Sequence, residues 1–306
     1  MAPFVVLTAL WLGWHSVYAQ EIPVLQGNEP AKTWSAAQVA AQIHPGQIVV
    51  MGENHGLHSS RAGQMQLLNA LRNSGRVVSV GLEFFYTPDQ AAVDQYRQGS
   101  LREPDFLRQI QWGQPSFEFY RDQARFPDLA AGARTLALNA PRSLTGKIAT
   151  SGLDSLTVEE RALLPPAFSL GRATYKTRFL KEMGAHLPSP EAGDRYFAAM
   201  STWDDTMAWT ATEFIKAHPD QVLAIVVGDF HAVYGGGLPN RIEARSGQKP
   251  IVFSFVNAAG LSAAELETQL APSPDYGPRG DFIWLANEPL VSMSLRPSGT
   301  VQSPLR

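Results

Sequence analysis

The chain of 306 residues contains no cysteine. Disulfides, thiolate metal ligands and thiol nucleophiles are excluded, and so is lipid attachment through an N-terminal cysteine. No Gly-x-Ser-x-Gly motif occurs either, so a hydrolase built on this sequence would have to activate water. Charge of one sign is also lacking: the net charge is −3 with 17% charged residues, which gives no polyelectrolyte signature and argues against nucleic acid as a partner. Long apolar runs are absent too. The block Phe4–Trp14 is too short to span a bilayer, and Val17-Tyr18-Ala19 follows as an A-x-A-like end. Residues 1–19 therefore read as a signal peptide cut near Ala19–Gln20, although no Lys or Arg precedes the block. The expectation is an exported, soluble protein.

What is present is a globular composition, 44% hydrophobic, long enough for one large domain. Short β-branched apolar runs lie at Gln47–Met51, Arg76–Glu83, Thr135–Asn139, Val222–Gly228, Pro250–Val256 and Asp281–Ala286. Their length suits strands buried on both faces of a parallel sheet. Helical periodicity falls between them, at Ser60–Asn73, Asp89–Gln98, Phe117–Gly132 and Glu191–His218, and Trp34–Ile43 reads as a short helix capped by Ser35. Alternation of this kind predicts an α/β fold, a mainly parallel sheet flanked by helices, as one domain over residues 20–295. Residues 140–220, rich in proline at the start and without a convincing strand, read as a largely helical insertion. Residues 296–306 read as a flexible tail. Within the insertion Tyr196, Met200, Trp203, Met207, Thr210 and Phe214 form one apolar stripe, whose ordinary role is core packing.

In open α/β sheets ligands bind beyond the carboxyl ends of the strands. Three expected strands end in polar groups: Glu53, Asn54 and His55 after the first, Glu83 at the second, Asp229 and His231 after the fourth; Asn139 ends a further one. Gly52–His55 and Gly228–His231 repeat a Gly-x-x-His pattern, the glycines allowing a tight exit and room beside the backbone. His55, Glu83 and His231 have the donor chemistry for a divalent metal. With Glu53 they could instead run acid–base catalysis on a water, or form a satisfied buried network. His58 reads as the first turn of the next helix. Arg241 and Arg245, one turn apart after a glycine-rich loop, could meet a carboxylate.

The pieces MGENHGLHSS, VGLEFF, FYRDQARFPDLAAGARTLALNAPR, YFAAMSTWDDTMAW and VVGDFHAVYGGGLPNRI follow one another in a single order. Together they resemble the ChaN family of haem-binding uptake proteins, in the superfamily that also holds Tiki and TraB proteins and erythromycin esterases. The resemblance runs from about Gly46 to Val256. It implies an α/β core with added helices, and haem as ligand in bacterial haem or iron uptake. It also implies a homodimer and outer-membrane uptake components as partners. With no cysteine for a lipid anchor, a soluble periplasmic form is expected. The family implies a tyrosine on the haem iron, with Tyr120, Tyr196 and Tyr234 as candidates beside Tyr175. Arg142, Arg172 and Arg241 are candidates for the propionates, and Trp112, Trp203, Met207 and Trp209 for the apolar surface. The alternative is a water-activating or metal-dependent hydrolase using His55, Glu83 and His231, which the esterase and Tiki branches resemble.

Overall fold

The computed structural model describes residues 21–184, 187 and 189–289; the expected signal peptide and terminal tail lie outside them. The strands are β1 (Val24–Gln26), β2 (Glu29–Trp34), β3 (Ile48–Glu53), β4 (Val77–Tyr86), β5 (Thr135–Asn139), β6 (Gln221–Gly228), β7 (Ile251–Asn257) and β8 (Phe282–Ala286). They form one sheet in the order β2-β1-β8-β7-β3-β6-β4-β5. The pairs from β8 through to β5 are parallel, and β1 joins β8 and β2 antiparallel. The sheet is therefore mainly parallel, as the alternation of strands and helices predicts.

Burial on both faces explains why these strands read as unbroken apolar runs. Ile48 and Val50 of β3, with Leu223, Ile225 and Val227 of β6, face one layer. There they meet Met207, Ala208 and Ala211 of the long helix Pro190–Ala217 and Leu238 and Ile242 of the helix Leu238–Ser246. Val49 and Met51, with Val222, Ala224 and Val226, face the other layer. That layer holds Leu67, Leu68 and Leu71 of the helix His58–Asn73 and an aromatic group including Phe85, Phe106, Phe117 and Tyr120. Each fully buried aliphatic contributes about 1.5–3 kcal/mol, against roughly 1–2 kcal/mol of backbone entropy per ordered residue. Strands buried on both faces offset that cost; the polar edge strand β2 cannot do so from its own side chains.

The hairpin β1–β2 departs from the sequence reading, which places no strand before residue 47. β2 reads Glu-Pro-Ala-Lys-Thr-Trp and is mostly exposed, so it carries no apolar run. Its signal is the two-residue Gly27-Asn28 turn, with Gln26 paired to Glu29 across it. The helix after it is shorter than expected, Ala36–Ala40, with Ser35 and Gln38 in a reciprocal capping box. The stretch 117–132 is not one helix but a 3₁₀ turn, Phe117–Phe119, and the short helix Arg121–Arg125. Pro127 lacks the N–H that would prolong it. The insertion is helical over Arg142–Ser151, Val158–Arg161, Ala173–Met183 and Pro190–Ala217.

Arg241 and Arg245 are committed to this packing. Asp205, wholly buried on the long helix, accepts from Arg241 Nε at 2.8 Å, Arg245 Nε at 2.6 Å and Arg245 Nη2 at 2.7 Å. Removing one member of a buried ion pair leaves uncompensated charge, at a cost of about 3–5 kcal/mol. Asp205→Ala should lower the urea-unfolding free energy by roughly that amount, and a loss under about 1 kcal/mol would show that the two arginines are not held there.

A candidate functional site at the carboxyl ends of three strands

β6 lies between β3 and β4, so the polar ends of those three parallel strands meet at one edge. The repeated glycines explain how. Gly52 and Gly228 stand on neighbouring strands, with Glu53 opposite Gly228. A Cβ on Gly228 would lie 2.8 Å from His55 Nε2, and a Cβ on Gly52 would lie 2.5 Å from Asp229 Oδ1. Each glycine thus leaves room for a side chain of the other motif.

Glu83 sits at the centre. Its Oε2 accepts from the Gly228 N–H at 2.6 Å and its Oε1 lies 3.5 Å from His231 Nε2. The Asn139 side chain donates to the Glu83 carbonyl at 3.0 Å, fixing the backbone at this point. His231 Nδ1 faces Asp204 Oδ1 at 2.6 Å. His55 is anchored in the same way, Nδ1 facing Glu53 Oε1 at 2.8 Å. Glu53 also accepts from Tyr120 OH at 2.7 Å and from Gln64 at 3.0 Å, and Gln64 in turn accepts from Gln123 at 2.8 Å. The two imidazoles differ in exposure: the His55 side chain is 40% exposed and that of His231 only 6%. His55 packs beside Phe84, which meets Trp112 and Tyr120, so the rim on that side is aromatic.

The charges reinforce one another. Burial alone would lower the pKa of His231, but Asp204 and Glu83 outweigh it and raise it to about 10. Burial alone would raise that of Glu83, yet His231, His55 and the Gly228 amide lower it to about 2. For His55 burial is again overcome, by the hydrogen bond to Glu53 and the charge of Glu83, and its pKa is raised.

The other candidates are placed as follows. Tyr120 is wholly buried with its hydroxyl on Glu53; burial, then that carboxylate, pushes its pKa far up, so no phenolate faces a ligand here. Tyr175 is buried among Phe179 and Phe197. Tyr196 is half-buried between two helical clusters of the insertion. Met207 is wholly buried under the sheet, away from any opening. Trp203 is half-buried with its ring 6.2 Å from that of His231. Arg142 stacks over Tyr86 at 4.4 Å. Tyr234 is half-buried on the wall of an open cavity that Arg172 also lines. His58 begins the helix after β3, where Glu288 accepts from the backbone N–H groups of His58 and Ser59. For a divalent metal the donors are ill prepared: among the described residues no three His, Asp or Glu side chains converge as a metal-holding group. An imidazolium with both nitrogens engaged, as in His231, must first give up a proton.

Sequence reasoning misses Asp204, Gln64 and Gln123. The available signal for Asp204 is an acidic pair, Asp204-Asp205, inside an otherwise apolar helix, where only a buried cation explains it.

The model for the family described as haem-binding uptake, Tiki superfamily, ChaN, matches residues 39–242. The chain belongs to that family. The sequence has no match among curated proteins. Among solved structures, one described as cofacial haem binding to ChaN of Campylobacter jejuni superposes with a TM-score of 0.59 at 16% identity, over 87% of this chain and 96% of that one. A mutant of erythromycin esterase EreC in its open conformation gives 0.44 at 13% identity, over 77% of each chain. At these identities the likeness is one of fold, and the ChaN superposition supports the α/β assignment.

His231, raised, stabilises the fold fully below the ordinary imidazole value of 6.5 and loses that contribution as pH climbs towards 10. Glu83, depressed, contributes fully above 4.5 and loses it as pH falls towards 2. The pair should therefore stabilise most between those two ordinary values. By NMR the His231 ring should still be protonated at about pH 8.5; titration near the ordinary imidazole value would refute the Asp204–His231–Glu83 arrangement.

Proposed function

We propose that this chain binds haem as cargo and serves haem or iron uptake outside the cytoplasm. The observation that carries the proposal is membership of the haem-binding uptake family over residues 39–242, a span that includes both Gly-x-x-His motifs and Glu83. The apolar block at residues 4–14 with its A-x-A-like end supports export. The residues also suit a flat apolar ligand with acidic groups: Phe84 and Trp112 make an aromatic rim beside His55, and Tyr234 and Arg172 share an open cavity wall. A tyrosine is one of the side chains that hold ferric haem. Tyr120 has no free hydroxyl for that task, which leaves the half-buried tyrosines. Haemin titrated into the full chain should give a saturable Soret shift at micromolar concentration. A linear, non-saturating response would overturn the reading.

One observation favours a second activity at the same edge. His55 donates Nδ1–H to buried Glu53 and turns Nε2 towards Gly228 and Glu83, the orientation of a general base whose tautomer is fixed by a carboxylate. Such a site would activate water without a metal. Turnover of p-nitrophenyl acetate above buffer should then fall by about 10²-fold or more in His55→Gln, with haemin affinity unchanged. Equal rates in the two proteins would remove this reading and leave haem binding intact.

A further inference from the structure

A cavity of about 360 Å³ opens beside Tyr234, away from the Glu83 cluster. Its walls include Tyr276, Pro239, Pro250 and Pro278, with Arg172 and Lys249 as cations. Tyr234 is held there against its own backbone preference. Its φ of 60° is left-handed, a region a bulky residue enters only under constraint. The constraint is visible: its N–H donates to the Arg279 carbonyl at 2.8 Å and its carbonyl accepts from Arg172 Nη2 at 2.8 Å. The guanidinium groups of Arg178 and Arg279 flank its ring at 5.5 and 5.6 Å. Arg279 is neutralised by Asp229 at 2.6 Å, and Arg178 lies 3.5 Å from Glu182. Arg172 and Lys249 are exposed and, among the described residues, make no ion pair with a carboxylate.

Two acids also line the cavity. Asp281 accepts from the Val252 N–H at 2.8 Å, and burial raises its pKa even though Lys249 opposes the shift. Glu243 is half-buried on the helix Leu238–Ser246. The flat surfaces of Tyr234, Tyr276 and the prolines suit a planar ring, and the two unpaired cations suit carboxylates at its edge.

We infer that the Tyr234 cavity is where the ligand docks, taking the carboxylate-bearing edge of a planar macrocycle between Tyr234 and Tyr276, with Arg172 and Lys249 on the carboxylates. The inference rests on the haem reading above and adds the place and the edge that is recognised. At about 360 Å³ the cavity is at the small end of ligand sites, so it holds an edge and leaves the rest of the ring outside.

The test titrates the full chain with haemin and with haemin dimethyl ester, whose carboxylates are blocked. The variants are Arg172→Gln, Lys249→Gln and Tyr234→Ala, each checked by thermal melting to be folded, with Tyr120→Phe as a control distant from the cavity wall. Arg172→Gln and Lys249→Gln should each weaken haemin roughly tenfold, and the dimethyl ester should bind the parent protein weakly and be indifferent to both changes. Tyr234→Ala should weaken both ligands, and Tyr120→Phe neither. If the parent protein binds haemin saturably but the three cavity variants match it, the docking site is wrong and the haem reading stands. Equal affinity for haemin and its ester would also overturn the site. No saturable binding by the parent protein would overturn both.

Discussion

A carboxylate sealed from water sets the terms for the centre of this protein. Glu83 lies in a strand with neighbours on both sides and is nearly buried. An isolated ion there would either neutralise or cost several kcal/mol. It is kept ionised by a backbone N–H from Gly228 and by the charge on His231, and His231 is kept protonated by Asp204. One anion therefore ties β4 to β6, the loop after β6 and, through Asp204, the long helix of the insertion. The position of that helix follows from electrostatics as much as from its apolar stripe.

The two Gly-x-x-His motifs look alike in sequence but do different physical work. Both imidazoles present Nδ1 to a carboxylate, yet Glu53 comes from two residues away and Asp204 from another layer. His55 sits at the rim and meets solvent; His231 is enclosed between two acids. A half-exposed imidazole with one nitrogen anchored can exchange protons with a ligand or water. An enclosed imidazolium between two carboxylates acts as fixed charge. The repeated motif thus supplies one reactive group and one structural one, and their glycines are what lets the two motifs interlock.

The parallel strands were legible in the sequence because burial on both faces writes itself as short apolar runs, and the polar ends at Glu53, His55, Glu83 and His231 were legible because they interrupt those runs. The hairpin at Val24–Trp34 was not, since an exposed edge strand needs no apolar pattern and leaves only its Gly27-Asn28 turn as a mark. Partners distant in sequence were also hidden. Nothing local pairs Asp204 with His231 or Gln123 with Gln64, and Arg241 and Arg245 read equally well as ligand groups or a solvated face until Asp205 is seen between them. The tyrosines show the same limit. Resemblance singles out Tyr120, while burial and the hydrogen bond to Glu53 commit its hydroxyl to holding His55.

The order of the strands explains why these features share one loop. β3 and β4 are joined by a single helix yet are separated in the sheet by β6, which arrives only after the whole insertion. β6 closes the gap last in sequence, and its exit carries both His231, three residues after Gly228, and Tyr234, three residues further on. The first is clamped to Glu83 and Asp204; the second is pressed into a left-handed backbone by arginines on either side. A segment pinned at both ends cannot relax one anchor without straining the other. The buried charge at His231 therefore fixes the geometry of the surface at Tyr234, although the two side chains belong to different environments, one closed and one open.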